Sequence, residues 1–285
     1  MTGTLDGLTT FLDRHGKTAL IEVAGAKGST PREKGAWMLV SPDAIFGTIG
    51  GGQLEYMAID RARALLDGHE AASATDQPGS PDESCSETFS VPLGPAIGQC
   101  CGGRVELSIR QVDPAVAARL GKAAAAEDAS RPHIYVFGGG HVGHALAAAL
   151  ALLPVHAVVV ETRAEALGDI AHGTATRLTP VPEEVVAAAP RGSAFVVLTH
   201  EHSLDFLIVA EALSRTDAAY VGMIGSETKK ATFRNWYLKT AGGSEQAFAR
   251  LVSPIGGAEV KDKRPAVIAA LVAAEILRAL GHFSR

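Results

Sequence analysis

Ile134-Tyr135-Val136-Phe137-Gly138-Gly139-Gly140-His141-Val142-Gly143-His144 is the stretch on which the fold turns. An apolar β-type run enters a glycine turn, and an alanine- and leucine-rich run leaves it with helical character. Gly138, Gly140 and Gly143 stand at G-x-G-x-x-G spacing. The first glycine permits a tight turn, the second lets the backbone approach a phosphate, and the third lets the helix pack close to its strand. Amides at the start of such a helix point at an anion. A second strand, expected over 157–160, ends at Glu161, where a dinucleotide site would carry its ribose-binding carboxylate. Glycines at this spacing also serve βα packing alone, so the ligand has to be argued from the rest of the chain.

Downstream, strand and helix patterns alternate: 134–137, 141–152, 157–160, 194–198, 204–213, 220–224 and 226–238, with a final helix over 265–280. Alternation of this kind predicts an α/β fold with a doubly wound parallel sheet. Ligands on such sheets bind beyond the carboxyl ends of the strands, where four loops should meet: 138–143, 161–163, 199–205 and 225–230. Upstream, a short helix over 5–14, a strand over 19–23, a hairpin over 37–49 and a strand over 105–112 describe a smaller α+β domain. The sequence from Gly25 to Arg32 reads as loop, and 67–87 as a polar surface loop. The expected organisation is a domain over 1–113, a helix or linker over 114–131, and the doubly wound domain over 132–285.

Composition bounds the function. A hydrophobic fraction of 47%, a charged fraction of 20% and a net charge of −5 describe an ordinary globular protein without the basic face of a nucleic-acid binder. The apolar stretch 145–160 is interrupted by Pro154 and His156, so it reads as helix plus strand rather than a membrane span. The start of the chain lacks the basic, apolar pattern of a secretory signal. Three cysteines, two of them adjacent, are no disulfide framework, and a reduced, cytoplasmic protein is the simplest expectation.

Three groups of residues could carry chemistry. Cys100 and Cys101 lie among glycines, where little bulk is at hand to bury a thiol as a mere hydrophobe, and Arg104 would favour the thiolate. A second C-x-x-C pair, which a zinc site would need, is missing, but a soft metal held by one thiolate fits. Gly50-Gly51-Gly52-Gln53-Leu54-Glu55 precedes a helix expected to run to about Leu66, and reads either as an anion-binding turn or as a flexible one. Thr199-His200-Glu201-His202-Ser203-Leu204-Asp205 offers imidazoles and carboxylates at a strand end, open to three readings: metal ligation, ligand contact by His200 and His202, or helix capping. Lys229 and Lys230 read as a solvated helix face in preference to a phosphate contact.

With those residues in view, the chain resembles the XdhC/CoxI family of accessory proteins for molybdenum hydroxylases, and most closely the XdhC branch that serves xanthine dehydrogenase. The resemblance runs through Gly28-Ser29-Thr30-Pro31-Arg32, Gly50-Gly51-Gly52-Gln53-Leu54-Glu55, Gly98-Gln99-Cys100-Cys101-Gly102-Gly103, the turn at 137–143, Thr199-His200-Glu201-His202, Gly222-Met223-Ile224-Gly225-Ser226, Pro254-Ile255-Gly256 and 265–270. It departs at Gly257-Ala258-Glu259-Val260, where a Leu-Pro-Gly-type turn is expected. The resemblance implies a Rossmann-like C-terminal domain, a homodimer, and a chaperone that binds molybdenum cofactor and passes it to apo xanthine dehydrogenase. It also implies that a cysteine desulfurase supplies the cofactor's sulfido ligand while the chaperone holds it. Cofactor-binding candidates are Cys100, Cys101, Gly51, Gly52, Gln53, Glu55, Gly138, Gly140, His141, Gly143, Glu161, His200 and His202, with Cys100 and Cys101 as the molybdenum contacts. The rival from another class is an NAD(P)-dependent oxidoreductase on the same fold. Glu161 would suit its ribose, although no evident proton donor accompanies it.

Overall fold

The structure, a computed structural model, describes residues 5–68, 86–94, 102–257 and 259–283. It divides into two compact units, Met1–Ser130 and Arg131–Arg285.

In the first unit, β1 (Ala19–Lys27), β2 (Trp37–Val40), β3 (Ile45–Gly47), β4 (Ser86–Pro92) and β5 (Arg104–Gln111) form an antiparallel sheet in the order β3-β2-β1-β5-β4. Successive side chains of a strand point to opposite faces, and each face here has its own cover. Ala19, Ile21 and Val23 pack with Leu54, Ala58 and Ala62 of α2 (Gly52–Leu66). Leu20 and Leu39 turn the other way, onto Leu8 and Phe11 of α1 (Leu5–Arg14) and Val116 and Leu120 of α3 (Pro114–Ala129). Asp113 caps α3 by accepting from the Val116 N–H at 2.7 Å, and Pro114 occupies the first turn, where its missing N–H costs nothing. β1 runs four residues beyond the expected Val23, because a register shift against β5 between Val23 and Gly25 interrupts the alternation by which a strand is read.

The second unit begins with β6 (His133–Phe137), α4 (His141–Leu150) and β7 (His156–Glu161). It continues through β8 (Ala175–Leu178), α5 (Pro182–Ala188), β9 (Ala194–Val197), α6 (His202–Ser214) and β10 (Tyr220–Met223). α7 (Glu227–Lys239), α8 (Glu245–Phe248), β11 (Leu251–Val252) and α9 (Pro265–Phe283) complete it. The strands are parallel in the order β11-β10-β9-β6-β7-β8. Numbered from β6, this is the order 3-2-1-4-5-6 of a doubly wound, Rossmann-like sheet. Ile134 and Val136 pack against α4 and α9, while Tyr135 and Phe137 pack against α5, α6 and α7. β8, α5 and β11 were not expected. All four residues of β8 are exposed and β11 is two residues long, so neither edge strand carries an apolar run. Among the described residues α9 alone is long and apolar enough to cross a membrane, and its Ala269, Val272, Ile276 and Leu280 are buried in the core shared with α4.

The order reverses between β6 and β9. The chain steps outward from β6 to β7 and β8, returns to β9 beside β6, and then steps the other way. The turn after β6 and the loop after β9 therefore flank the crevice where such sheets bind ligands.

Candidate functional site

The glycines of the β6–α4 turn do different jobs. Gly138 has φ +115°, and a Cβ on it would lie 2.7 Å from the Leu198 carbonyl oxygen at the end of β9. A Cβ on Gly143 would lie 2.0 Å from the Gly138 oxygen, so only glycine lets α4 sit this close to its turn. A Cβ on Gly139 would lie 2.3 Å from the Ala166 oxygen, in the 3-10 turn Ala164–Leu167. Gly140, by contrast, has open space where a Cβ would be and an ordinary φ of −80°. It is the N-cap of α4, without a side-chain cap and without an acidic residue in the first turn. The first amides of any helix lack an intrahelical acceptor, so the 141–143 amides present a positive helix end beside Gly140. His141 is exposed on that first turn, and the ring of His144 lies with Nε2 3.1 Å from the Ala166 oxygen.

Glu161 ends β7 as expected, but its carboxylate is turned inward and is 5% exposed. Oε2 accepts from the Gly139 N–H at 2.9 Å. Oε1 accepts from the Thr162 N–H at 2.8 Å, the Thr162 hydroxyl at 3.2 Å and the Arg163 N–H at 3.2 Å. Burial pushes its pKa up, yet these backbone donors and the nearby Arg163 guanidinium outweigh burial and hold it below its ordinary value. The ribose reading of Glu161 is corrected accordingly: the carboxylate fastens the glycine turn to β7 instead of facing solvent as a free acceptor.

Phe137, Gly138, Glu161, Thr199, His200 and Leu204 line a narrow crevice of about 10 Å³, close to the room one water needs. His200, Glu201, His202 and Ser203 are exposed, and Ser203 donates to Glu201 Oε1 at 2.6 Å. His200 thus borders the crevice, while His202 opens α6. Among the described residues no group of three or more His, Cys, Asp or Glu side chains is placed to hold a metal, and the metal reading of this loop is dropped.

Beneath the loop lies a pair that the sequence did not reveal. Asp205 is fully buried and accepts from the Thr199 N–H at 3.1 Å and the Thr199 hydroxyl at 2.6 Å. Its other oxygen takes the ammonium of Lys229, which also donates to the Ile224 oxygen at 3.0 Å. A Cβ on Gly225 would lie 2.6 Å from Lys229 Cδ, so this glycine makes way for the lysine stem. The expectation of a solvated Lys229 is therefore wrong, and Lys230 is likewise engaged, donating to the Ser253 oxygen at 2.8 Å. Only the adjoining strand end at 220–225 hinted that Lys229 sits where the chain turns inward.

In the first unit, Gly50, Gly51 and Gly52 all take positive φ, at +130°, +78° and +69°. Glu55, one turn into α2, accepts through Oε2 from the Thr48 hydroxyl at 2.6 Å, the Gly51 N–H at 3.0 Å and the Ile49 N–H at 3.1 Å. Glu55 is thus the fastener of this turn, as Glu161 is of the other, and Gly52 and Gln53 remain exposed at the helix start. The 28–32 loop is clasped from two sides. A Cβ on Gly103 would lie 2.3 Å from the Ser29 oxygen, and one on Gly50 would lie 2.7 Å from Pro31 Cγ. Cys100 and Cys101 lie outside the described residues, which resume at Gly102.

A family model described as the XdhC Rossmann domain matches residues 134–276, and one described as the XdhC and CoxI family matches residues 11–75. The uncharacterized protein YqeB of Escherichia coli (strain K12) is 27% identical over 280 residues, covering 91% of this chain and 43% of that protein. The chain thus spans less than half the length of that relative. A crystal structure titled a xanthine dehydrogenase from Bacillus halodurans has 15% identity and a TM-score of 0.76, covering 98% of this chain and 96% of its own, a likeness of fold. With one family model over the sheet built from β6 to β11 and the other over the glycine turns at 25–28 and 50–52 of the first unit, the chain belongs to the XdhC/CoxI family.

Proposed function

We propose that the chain is an accessory protein in xanthine dehydrogenase maturation that binds molybdenum cofactor, holds it for sulfuration and delivers it to the apo-enzyme. Family membership supports the maturation role. The observation that carries cofactor binding is the uncapped start of α4 at the switch point, with Gly140 open to an approaching group. A molybdopterin-type cargo carries a phosphate, which suits those amides, and a soft metal centre, which suits a thiolate. In this reading His141, His200 and the Gly138–Gly143 turn are the candidates for contact with the phosphate, and Cys100 or Cys101 is the candidate for contact with molybdenum. Glu55 and Glu161 hold the turns in shape. The same reading includes a cysteine desulfurase and apo xanthine dehydrogenase as partners, a homodimer, a cytoplasmic location and no turnover of the chain's own.

The test is the molybdenum content of protein purified from cells that make the cofactor. Cys100→Ala and Cys101→Ala are each compared with the wild type at equal protein. Loss of bound molybdenum in at least one variant is the expected outcome, and wild-type occupancy in both removes the thiols from the site. A parallel titration with NAD(H) separates the rival: saturable binding of the dinucleotide, with no molybdenum in the wild-type protein, would favour an oxidoreductase.

A further inference from the structure

The motif Gly28-Ser29-Thr30-Pro31-Arg32 has no part in the reading above, and Arg32 is an unusual residue. Arg32 is half-buried as a whole, and among the described residues of the first unit its Nε is the one buried side-chain nitrogen or oxygen without a hydrogen-bond partner. No described residue forms an ion pair with its guanidinium. A guanidinium carries five N–H donors and no acceptor of its own. In native structures such a group finds an acceptor in a protein group, a water or a ligand.

The backbone around Arg32 is shaped to put it there. A Cβ on Gly50 would lie 3.4 Å from Arg32 Cγ, so the stem of Arg32 crosses the turn that precedes α2. On the other side, Gly28 takes φ +74° and its missing Cβ would lie 3.2 Å from the Gly103 Cα. Three segments from different parts of the chain, 27–32, 48–52 and 102–103, thus close on one another at a single place, and each close approach passes over a glycine. The charged groups there are few. Lys27 at the end of β1 is exposed, as are Glu33 and Lys34 beyond Arg32, so two cations and one carboxylate flank it, and the Glu55 carboxylate is occupied by Thr48, Ile49 and Gly51.

We propose that Arg32 anchors a second anion site, on the first unit, that takes a phosphate-type oxyanion. A guanidinium presents a planar fork of donors that matches two oxygens of one phosphate. The site needs neither molybdenum nor the turn at Gly140, so it stands or falls apart from the cargo reading.

The experiment titrates the full chain with inorganic phosphate and pyrophosphate by calorimetry at fixed ionic strength. The Gly140→Val background blocks the α4 turn. Saturable binding should persist in Gly140→Val, and adding Arg32→Met should weaken it about tenfold or more, as expected for losing a charge-assisted bidentate contact. Arg32→Lys should recover only part, because an ammonium keeps the charge and loses the fork. Since Arg32 lacks an internal partner, Arg32→Met should melt at the wild-type temperature or above it. No saturable binding in folded Gly140→Val, equal affinity with and without Arg32→Met, or a lowered melting temperature in Arg32→Met would each overturn the proposal.

Discussion

At the level of single residues, the glycines of the 138–143 turn separate packing from recognition. Gly143 is excluded from carrying a side chain by a backbone oxygen 2.0 Å from where its Cβ would be, whereas Gly140 meets nothing within 4 Å. Gly143→Ala should therefore lower unfolding free energy by about 1–3 kcal/mol, the usual cost of forcing atoms into a filled space. Gly140→Ala should cost less than about 1 kcal/mol, because its φ of −80° suits any residue. Urea denaturation of the two variants checks the contrast, and equal losses would mean the turn does not distinguish them. The spacing of these glycines was legible in the sequence, because a strand-turn-helix needs them at those intervals. Which of them faces open space was not, since that depends on Leu198 and Ala166, far along the chain. Glu161 was likewise placed correctly along β7, but not its orientation, which follows from the Gly139 N–H across the turn.

At the level of elements, the Asp205–Lys229 pair joins the start of α6, the first turn of α7, the end of β10 and the loop after β9. Both side chains are nearly or fully out of water, at 8% and 0% exposure. Removing one member of such a pair leaves a buried charge without a partner, which typically costs about 3–5 kcal/mol. Lys229→Met and Asp205→Leu should each fall in that range, while the double variant should recover a substantial part of the sum. A double-mutant cycle by chemical denaturation reads the coupling, and simple additivity would show that the two residues act separately. In the sequence these residues lie 24 positions apart, each with a plausible local role, as a helix cap and a solvated lysine. Their pairing is set by the parallel order of β9 and β10, which places successive βα loops side by side. The strongly apolar central strands were legible for the opposite reason. Burial on both faces writes a continuous apolar run, as in Ala194–Val197, while exposed β8 leaves no such trace.

At the level of the whole molecule, the second unit has its own cores on both faces of its sheet, built from residues between 134 and 280. One buries Ile134, Val136 and Val196 under α4 and α9, and the other buries Phe137, Phe195 and Val197 under α5, α6 and α7. The glutamate that shapes its glycine turn and the pair that fixes its 199–205 loop also come from the same unit. Among the described residues, the partners named for the α4 turn, Glu161, Ala166 and Leu198, all belong to this unit. The fragment Arg131–Arg285 should fold by itself, with far- and near-ultraviolet dichroism lost in one coincident transition, the mark of a cooperative domain. Its urea m-value should lie at about 1–3 kcal/mol/M, as for other domains of modest size. It should also bind inorganic phosphate saturably, and Gly140→Val in the fragment should abolish that binding while the unfolding transition stays cooperative. Non-coincident transitions would show that the sheet needs the first unit to fold. A cooperative fragment that ignores phosphate would show that the open start of α4 is a packing feature and not an anion site.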